Sequence, residues 1–257
     1  MKWRNCIEIG SVILALFCIQ ASGQEWKPMD GKTPEEVLED AYEDYSAKRF
    51  AEALRKFEWL FLFGHKADPV FDSVRISFVV GGWNDLAEKY PPAKAKLKLL
   101  RDARFELVLK SNEKETIVEG FRDVAAIDFA TGGQANTARA FTTLHDSSQT
   151  NAKLVIGLAK DALFAEGTYS LLNLYIDPYS EIQVAKKQMV EFSQHRDRPE
   201  SAKQIFQRKF CETALRNIKM MKALGMNSKA IQAARESVET CKDDAFVSDI
   251  NALMQKI

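Results

Sequence analysis

The chain of 257 residues is 46% hydrophobic and 28% charged, proportions typical of a globular protein rather than a disordered or collagen-like one. Its 36 Lys and Arg residues balance its 36 Asp and Glu residues, so the formal net charge is zero. Nucleic acids and anionic membrane surfaces are bound chiefly through excess basic charge, and neutrality therefore argues against both as main partners. The length suffices for one helical solenoid or two small domains.

The first 23 residues have the layout of a secretory signal peptide. Lys2 and Arg4 precede an apolar run at residues 12–19, and small residues lie three and one positions before a possible cleavage site at Gln24. The apolar run is shorter than the roughly 20 residues that span a bilayer. The sequence therefore predicts an exported protein, periplasmic or extracellular, with no stable membrane span after signal removal. A retained N-terminal anchor helix is the alternative.

Helix signals then follow one another along the chain. Thr33, Pro34 and Glu36 form a capping box with proline in the first turn, and Gly64 is a suitable stop for a second helix. Residues 74–90 carry apolar side chains at helical spacing, and nowhere does the alternation of a strand persist. The predicted fold class is all-α, with about twelve helices stacked as antiparallel hairpins into a short curved solenoid or bundle.

The adjacent glycines Gly81 and Gly82 lie inside one of these predicted helices, where each costs about 1 kcal/mol relative to alanine. Close packing of helices, with Trp83 in the core, explains them most simply. The alternative is a kink that opens a binding pocket beside Trp83.

Two predicted hairpins carry a more specific pattern, in which alanines twelve residues apart lie on the paired helices and an aromatic residue lies nearby. Small residues let the helices approach closely, while the aromatic side chain fills the space beside them. The predicted packing residues are Ala41, Phe50, Ala53 and Phe57 in the first hairpin, and Ala126, Phe129, Gly133 and Ala138 in the second.

This pattern resembles the tetratricopeptide (TPR) repeat, a helix-turn-helix unit of about 34 residues. Lys48 departs from it, since the first repeat's turn should carry a glycine there. Residues 71–103 also resemble a stretch of exported bacterial TPR-like proteins. The resemblance implies a protein or peptide as partner. It places TPR-like repeats at residues 24–196, followed by a helical hairpin and terminal helix at residues 197–257 that continue the repeats.

The C-terminal hairpin holds the only cysteines that follow the predicted signal peptide. Cys211 and Cys241 each lie fifteen residues from Met226, which is predicted to be the centre of the turn after Gly225, with Asn227 or Ser228 as the N-cap of the next helix. Residues equally far from the turn face each other, and the other facing pairs along this seam are apolar. Because disulfides persist in oxidising compartments, we predict a bridge; two buried thiols are the alternative.

The chain lacks the short motifs of common enzymes, namely a Gly-x-Ser-x-Gly elbow, a His-Glu-x-x-His pair and a phosphate-binding loop. His65, His145 and His195 lie too far apart to form a local metal pair. No catalytic residue, cofactor or metal site is therefore predicted. Lys94, Lys98 and Arg101 share a helix face opposite the apolar stripe, which predicts a solvated surface or, less simply, a patch for an acidic partner.

Two classes of function remain. The first is a non-enzymatic interaction or scaffold protein of the cell envelope that uses a groove between helices. The alternative is an α-helical enzyme acting on envelope polysaccharide, with carboxylates assembled by the fold. A cleft lined by two or more inward-facing carboxylates would favour the enzyme, and a groove lined by Arg, Asn and Tyr would favour binding.

Overall fold

A computed structural model describes residues 26–29, 31–194 and 199–255. All regular secondary structure in these ranges is helical, which confirms the predicted all-α fold class. The predicted signal peptide, residues 1–23, and the joint at residues 195–198 lie outside the described residues.

Twelve α-helices of four or more residues follow one another in the described chain. They are α1 Pro34–Ser46, α2 Phe50–Trp59, α3 Val80–Lys89, α4 Pro91–Lys110, α5 Lys114–Ala130, α6 Gln134–Ser147, α7 Gln149–Ala165, α8 Tyr169–Leu172, α9 Pro178–Gln194, α10 Glu200–Ala223, α11 Asn227–Thr240 and α12 Asp244–Met254. None of the described helices is long and apolar enough to cross a membrane.

The described residues form two compact units. The first ends at Ala159 and the second begins at Lys160, so the boundary falls within α7. Helices α9 and α10, which flank the joint predicted near residue 196, pack against each other in the second unit. The division at residues 196–197 and the solenoid arrangement of the hairpins stay predictions.

The predicted capping box at the start of α1 is confirmed. The backbone N–H of Glu36 donates to Thr33 Oγ1 at 3.3 Å, and the backbone N–H of Thr33 donates to Glu36 Oε2 at 2.8 Å. Pro34 occupies the first turn, where its missing N–H has no partner to lose. Two of the unpaired amides of the helix start are thereby satisfied.

Four described helices end in the same backbone turn. In each, a residue with positive φ donates its N–H to the carbonyl three residues back, and the next N–H reaches the carbonyl five residues back, as in a Schellman motif. The left-handed residues are Lys48, Gly132, Gly167 and Gly225, with φ of 61°, 69°, 67° and 72°.

These turns add one detail to the predictions made from the sequence and correct another. The left-handed glycine of the second predicted repeat is Gly132, whereas Gly133 has a φ of −92° and lies at the N-cap of α6. Helix α11 begins at Asn227, and its N-cap is Met226, so neither Asn227 nor Ser228 caps it with a side chain.

We expect Lys48→Gly to stabilise the protein. A left-handed φ costs a side chain about 1–2 kcal/mol, which glycine avoids, although glycine loses more chain entropy on folding. The free energy of unfolding in a urea titration should rise by about 0.5–1 kcal/mol. The control is Ala47→Gly, at a φ of −79°, which should lower that free energy. A Lys48→Gly protein no more stable than the parent would show that the left-handed φ at residue 48 costs nothing.

Two π-helical turns interrupt the helices of the first unit. Helix α2 runs into the turn Leu60–Gly64, and the turn Arg75–Val79 leads into α3; the two turns contact each other. The sequence predicted one uninterrupted α-helix through the second of them. The Tyr42 hydroxyl donates to the Phe78 carbonyl in the second of these turns at 3.0 Å.

The core of the first unit is built from aromatic side chains around these turns. Phe57, Phe61 and Trp83 are fully buried or nearly so. Trp83 Nε1 donates to the Ala93 carbonyl at 3.0 Å, so its polar edge is satisfied inside the core. The packing interpretation of the adjacent glycines holds at Gly82, because a Cβ there would lie 2.7 Å from Tyr42 Oη and 2.8 Å from Phe57 Cε1.

We expect opposite effects from alanine at the two adjacent glycines. Gly82→Ala overpacks the contact with Phe57 and should lower the free energy of unfolding by about 1–2 kcal/mol. A Cβ at Gly81 would have no neighbour within 4 Å, so Gly81→Ala should raise that free energy by up to about 1 kcal/mol through helix propensity. Denaturant titration of both variants measures the difference, and equal effects would contradict close packing at Gly82.

The second unit contains the cysteine hairpin of α10 and α11. Ala214, Ile218 and Ala234 are buried on the seam, as the register predicted. The sulfur atoms of Cys211 and Cys241 lie 1.95 Å apart and their Cα atoms 6.0 Å apart, so the pair is at disulfide distance. Helices α9 and α12 pack against this hairpin and close its core.

Candidate functional site, a groove bordered by helices α3 to α6

A groove of about 760 Å³ opens on the first unit between the end of α3, the first half of α4, the end of α5 and the start of α6. We call it the α3–α6 groove. Its size is within the range of ligand sites in proteins. It is lined by Asn84, Ala87, Glu88, Lys94, Leu97, Lys98, Arg101, Asp102, Ile127, Asp128, Ala130, Thr131, Gly132 and Asn136.

The lining combines an apolar floor with a polar rim. Leu97 and Ile127 are each 2% exposed, and they come from the apolar stripes of α4 and α5 that face the core. Lys94 and Lys98 are exposed on the rim. This order follows from the amphipathic pattern of α4, whose apolar residues turn inward while the neighbouring lysines reach water.

A buried ion pair crosses the groove. Arg101 of α4 donates from Nε and Nη2 to the two carboxylate oxygens of Asp128 of α5, both at 3.0 Å. Thr137 of α6 donates its hydroxyl to Asp128 Oδ2 at 3.0 Å, and Arg101 Nη2 also reaches the Asn136 carbonyl at 3.4 Å. A fork of this kind fixes both distance and orientation, so Asp128 ties three helices together.

The surroundings of Arg101 keep its guanidinium protonated. Burial by itself would lower the pKa of this guanidinium, but the hydrogen bonds and charge of Asp128, with a smaller contribution from Asp102, outweigh burial and raise the pKa. Lys98 pairs with Asp102 at 2.7 Å on the exposed side of the same helix. Of the three lining carboxylates, Asp102 and Asp128 are paired with basic groups, whereas Glu88 is exposed on the rim.

Two side-chain amides border the apolar floor. Asn84 projects from α3 and is partly exposed, and its carboxamide has no hydrogen-bond partner among the described residues. Asn136 at the start of α6 accepts from Arg139 through Oδ1. A carboxamide offers both a donor and an acceptor, which is the pairing that a peptide backbone requires. The groove can therefore hold an extended ligand by apolar contact and amide hydrogen bonds.

The structure brings most of the first predicted repeat together. Ala41, Ala53 and Phe57 are each 0% exposed and belong to one core. Phe50 is half-buried against that core, with its ring centroid 6.1 Å from that of Tyr45. Both alanines are therefore buried in the core to which α1 and α2 contribute.

The second predicted repeat differs at its aromatic residue. Ala138 is buried at 4% exposure and Ala126 is half-buried, but Phe129 is 71% exposed and does not fill the space between α5 and α6. The inward face of α5 carries Val124 and Ile127, and Phe129 points away from both. Gly133 is partly exposed in the turn, where a Cβ would come within 2.7 Å of Asn136 Nδ2.

Sequence reasoning missed the role of Arg101, which it assigned to a solvated face with Lys94 and Lys98. Arg101 lies four residues after the buried Leu97, a spacing that places it beside the apolar stripe rather than opposite it. Asp128 follows Ile127 directly on the inward face of α5. An acidic residue on a core-facing stripe was the available signal, because such residues are rarely buried without a partner.

The described residues contain no group of three or more His, Cys, Asp or Glu side chains that could hold a metal ion. Comparison of the chain with protein-family models, with curated proteins and with solved structures finds no match to any of them.

We expect Arg101→Gln to destabilise the protein by about 2–3 kcal/mol, since it leaves the buried Asp128 carboxylate without its counter-charge. The double variant with Asp128→Asn should recover part of that loss because the stranded charge is removed. A double-mutant cycle in guanidinium chloride measures the coupling. Lys98→Gln, which breaks the exposed pair with Asp102, is the control and should lower the free energy of unfolding by no more than about 0.5 kcal/mol. Equal losses of stability for Arg101→Gln and Lys98→Gln would contradict a stabilising role for the buried Arg101–Asp128 pair.

Proposed function

We propose that this protein is a non-enzymatic, exported binding protein that holds an extended peptide segment of a partner protein in the α3–α6 groove. The observation that carries the proposal is the groove's lining, in which an apolar floor is bordered by the amides of Asn84 and Asn136 while the inward carboxylate is already paired. The resemblance of the α1–α2 hairpin to a TPR repeat supports the same class of function.

The state of Asp128 favours binding over hydrolysis of a polysaccharide. Glycosidases need two carboxyl groups, one protonated to act as an acid and one ionised and free to reach the sugar. Asp128 accepts hydrogen bonds from Arg101 on both oxygens and from Thr137 on one. A buried carboxylate held by a guanidinium and a hydroxyl in this way ties helices together, and as the counter-charge of Arg101 it is not free to act as the acid or the nucleophile.

Export is part of the proposal and rests on two features of the chain. The first is the signal-like layout of residues 1–23. The second is the placement of Cys211 and Cys241 at disulfide distance, because such pairs persist in compartments outside the cytosol. A periplasmic or extracellular location follows from both.

A displayed library of random peptides tests the groove. Peptides selected on the purified full chain should bind the parent protein, and Asn84→Arg should weaken their binding at least tenfold, because a long charged side chain then occupies the groove. Tenfold corresponds to about 1.4 kcal/mol of binding free energy. Fluorescence anisotropy with a labelled selected peptide measures the change.

Asn251→Arg is the matched control, since Asn251 is an exposed helical asparagine of α12 in the second unit. Peptide binding should be unchanged in that variant. Selection of no peptide, or equal affinity of the parent and Asn84→Arg proteins for the selected peptides, would contradict the proposal.

A further inference from the structure

A second cavity of the first unit is lined by arginines and shares no lining residue with the α3–α6 groove. It encloses about 450 Å³ between the two π-helical turns, α4 and α5, and we call it the arginine pocket. Its inner polar residues are His65, Asp72, Arg75, Arg104, Arg122 and Asp123. Leu62, Pro69 and Leu107 supply apolar wall.

Three guanidinium groups in this pocket share two carboxylates. Arg75 donates from Nε to Asp72 at 2.9 Å, and its Nη2 lies 2.7 Å from Asp123 Oδ1, a charge contact in which that oxygen accepts no hydrogen bond. Arg122 pairs with the other oxygen of Asp72 at 2.7 Å, and Arg104 Nε lies 3.2 Å from Asp123 Oδ2. The cluster therefore carries one positive charge more than its own acids neutralise.

Neighbouring groups do not remove that excess. Lys66 and Glu119 also line the pocket, but both are exposed and their charges cancel. Burial, followed by the nearby charge of Arg75, lowers the pKa of the His65 imidazole, which disfavours a further positive charge there. The remaining charge belongs to guanidinium groups, of which Arg75 is only 3% exposed.

Several nitrogen atoms of the pocket make no hydrogen bond with the described residues. They include Arg75 Nη1, Arg104 Nε, Arg122 Nε and His65 Nδ1, all of which are buried, and the buried oxygen Asp123 Oδ1 likewise accepts no hydrogen bond. Arg104 Nε is close enough to Asp123 for charge attraction, but its N–H is not directed at the oxygen. A buried donor without an acceptor costs about 1–3 kcal/mol, more when it is charged, so a cluster of them calls for an acceptor from outside the chain.

We propose that the arginine pocket binds the carboxylate of a small organic acid, with Arg75 Nη1, Arg104 and His65 Nδ1 facing the oxygens and the apolar body of the acid against Leu62, Pro69 and Leu107. This site is separate from the peptide groove, and its ligand is independent of the groove's partner.

Charge and shape together select a carboxylate. One excess positive charge matches a monoanion, whereas a phosphate dianion would leave a net negative charge in a half-buried site. A planar carboxylate presents two oxygens to the fork of guanidinium N–H groups, which is the geometry that arginine recognises best. Walls from Leu62 and Leu107 add apolar contact that acetate alone would not use.

Titration of the full chain with sodium benzoate tests the proposal at constant ionic strength. Benzoate should bind saturably in isothermal calorimetry, and benzamide, its neutral isostere, should show no binding. Inorganic phosphate at pH 7 should bind more weakly than benzoate. Saturable binding of benzamide, tighter binding of phosphate, or no saturable binding of benzoate would each overturn the assignment.

Arg104→Gln should weaken benzoate binding at least tenfold, since it removes the excess charge and one donor. Arg55→Gln is the control, because Arg55 is exposed and, within the described part of the chain, pairs with Glu52 on α2. Its benzoate affinity should equal that of the parent. In the parent protein itself, the Nε–H resonances of Arg104 and Arg122 should shift with benzoate and that of Arg55 should not. Equal affinities in the two variants, or equal shifts at all three arginines, would overturn the proposal.

Discussion

The first unit is arranged around one buried charge, the guanidinium of Arg75. Removing a charge from water costs several kcal/mol unless partners surround it, and breaking such a pair typically costs about 3–5 kcal/mol. Arg75 meets that cost with Asp72 from its own segment, with Asp123 from α5, and with the ring of Phe61, whose centroid lies 4.8 Å from its Cζ. Because these partners come from different segments, the charge fixes where α5 lies relative to the π-helical turns.

Close backbone approach is what permits this arrangement. A Cβ at Gly64 would come within 2.8 Å of the Phe71 ring, and one at Gly120 within 2.7 Å of Val108 Cγ2. Both glycines border the elements that form the arginine pocket, so α5 and the first π turn come nearer to their neighbours than any side chain would allow. The excess of guanidinium over carboxylate then leaves an electropositive cavity inside a chain that is neutral as a whole.

The sequence allowed the features that depend on local pattern to be predicted. The capping box at Thr33, the left-handed turn at Gly225 and the facing of Cys211 and Cys241 all follow from spacing along one or two helices. The α-helical content was evident from apolar periodicity for the same reason.

What escaped prediction depends on pairing across the fold. Periodicity reports which face is apolar, and it carries no information about which distant acid meets Arg75 or Arg101; Asp123 and Asp128 lie on another helix. The basic Arg75 inside the apolar run at residues 74–80 was the hint of its burial, as Asp128 on the core-facing stripe of α5 was for Arg101.

The most direct test of this account is a crystal structure of the full chain soaked with 4-bromobenzoate, with the bromine located by its anomalous scattering. The account predicts a bromine peak beside Leu62 and Leu107, with the carboxylate oxygens within hydrogen-bonding distance of Arg75 Nη1 and Arg104. An arginine pocket without bromine, while the ligand lies elsewhere on the protein or is absent, would contradict it.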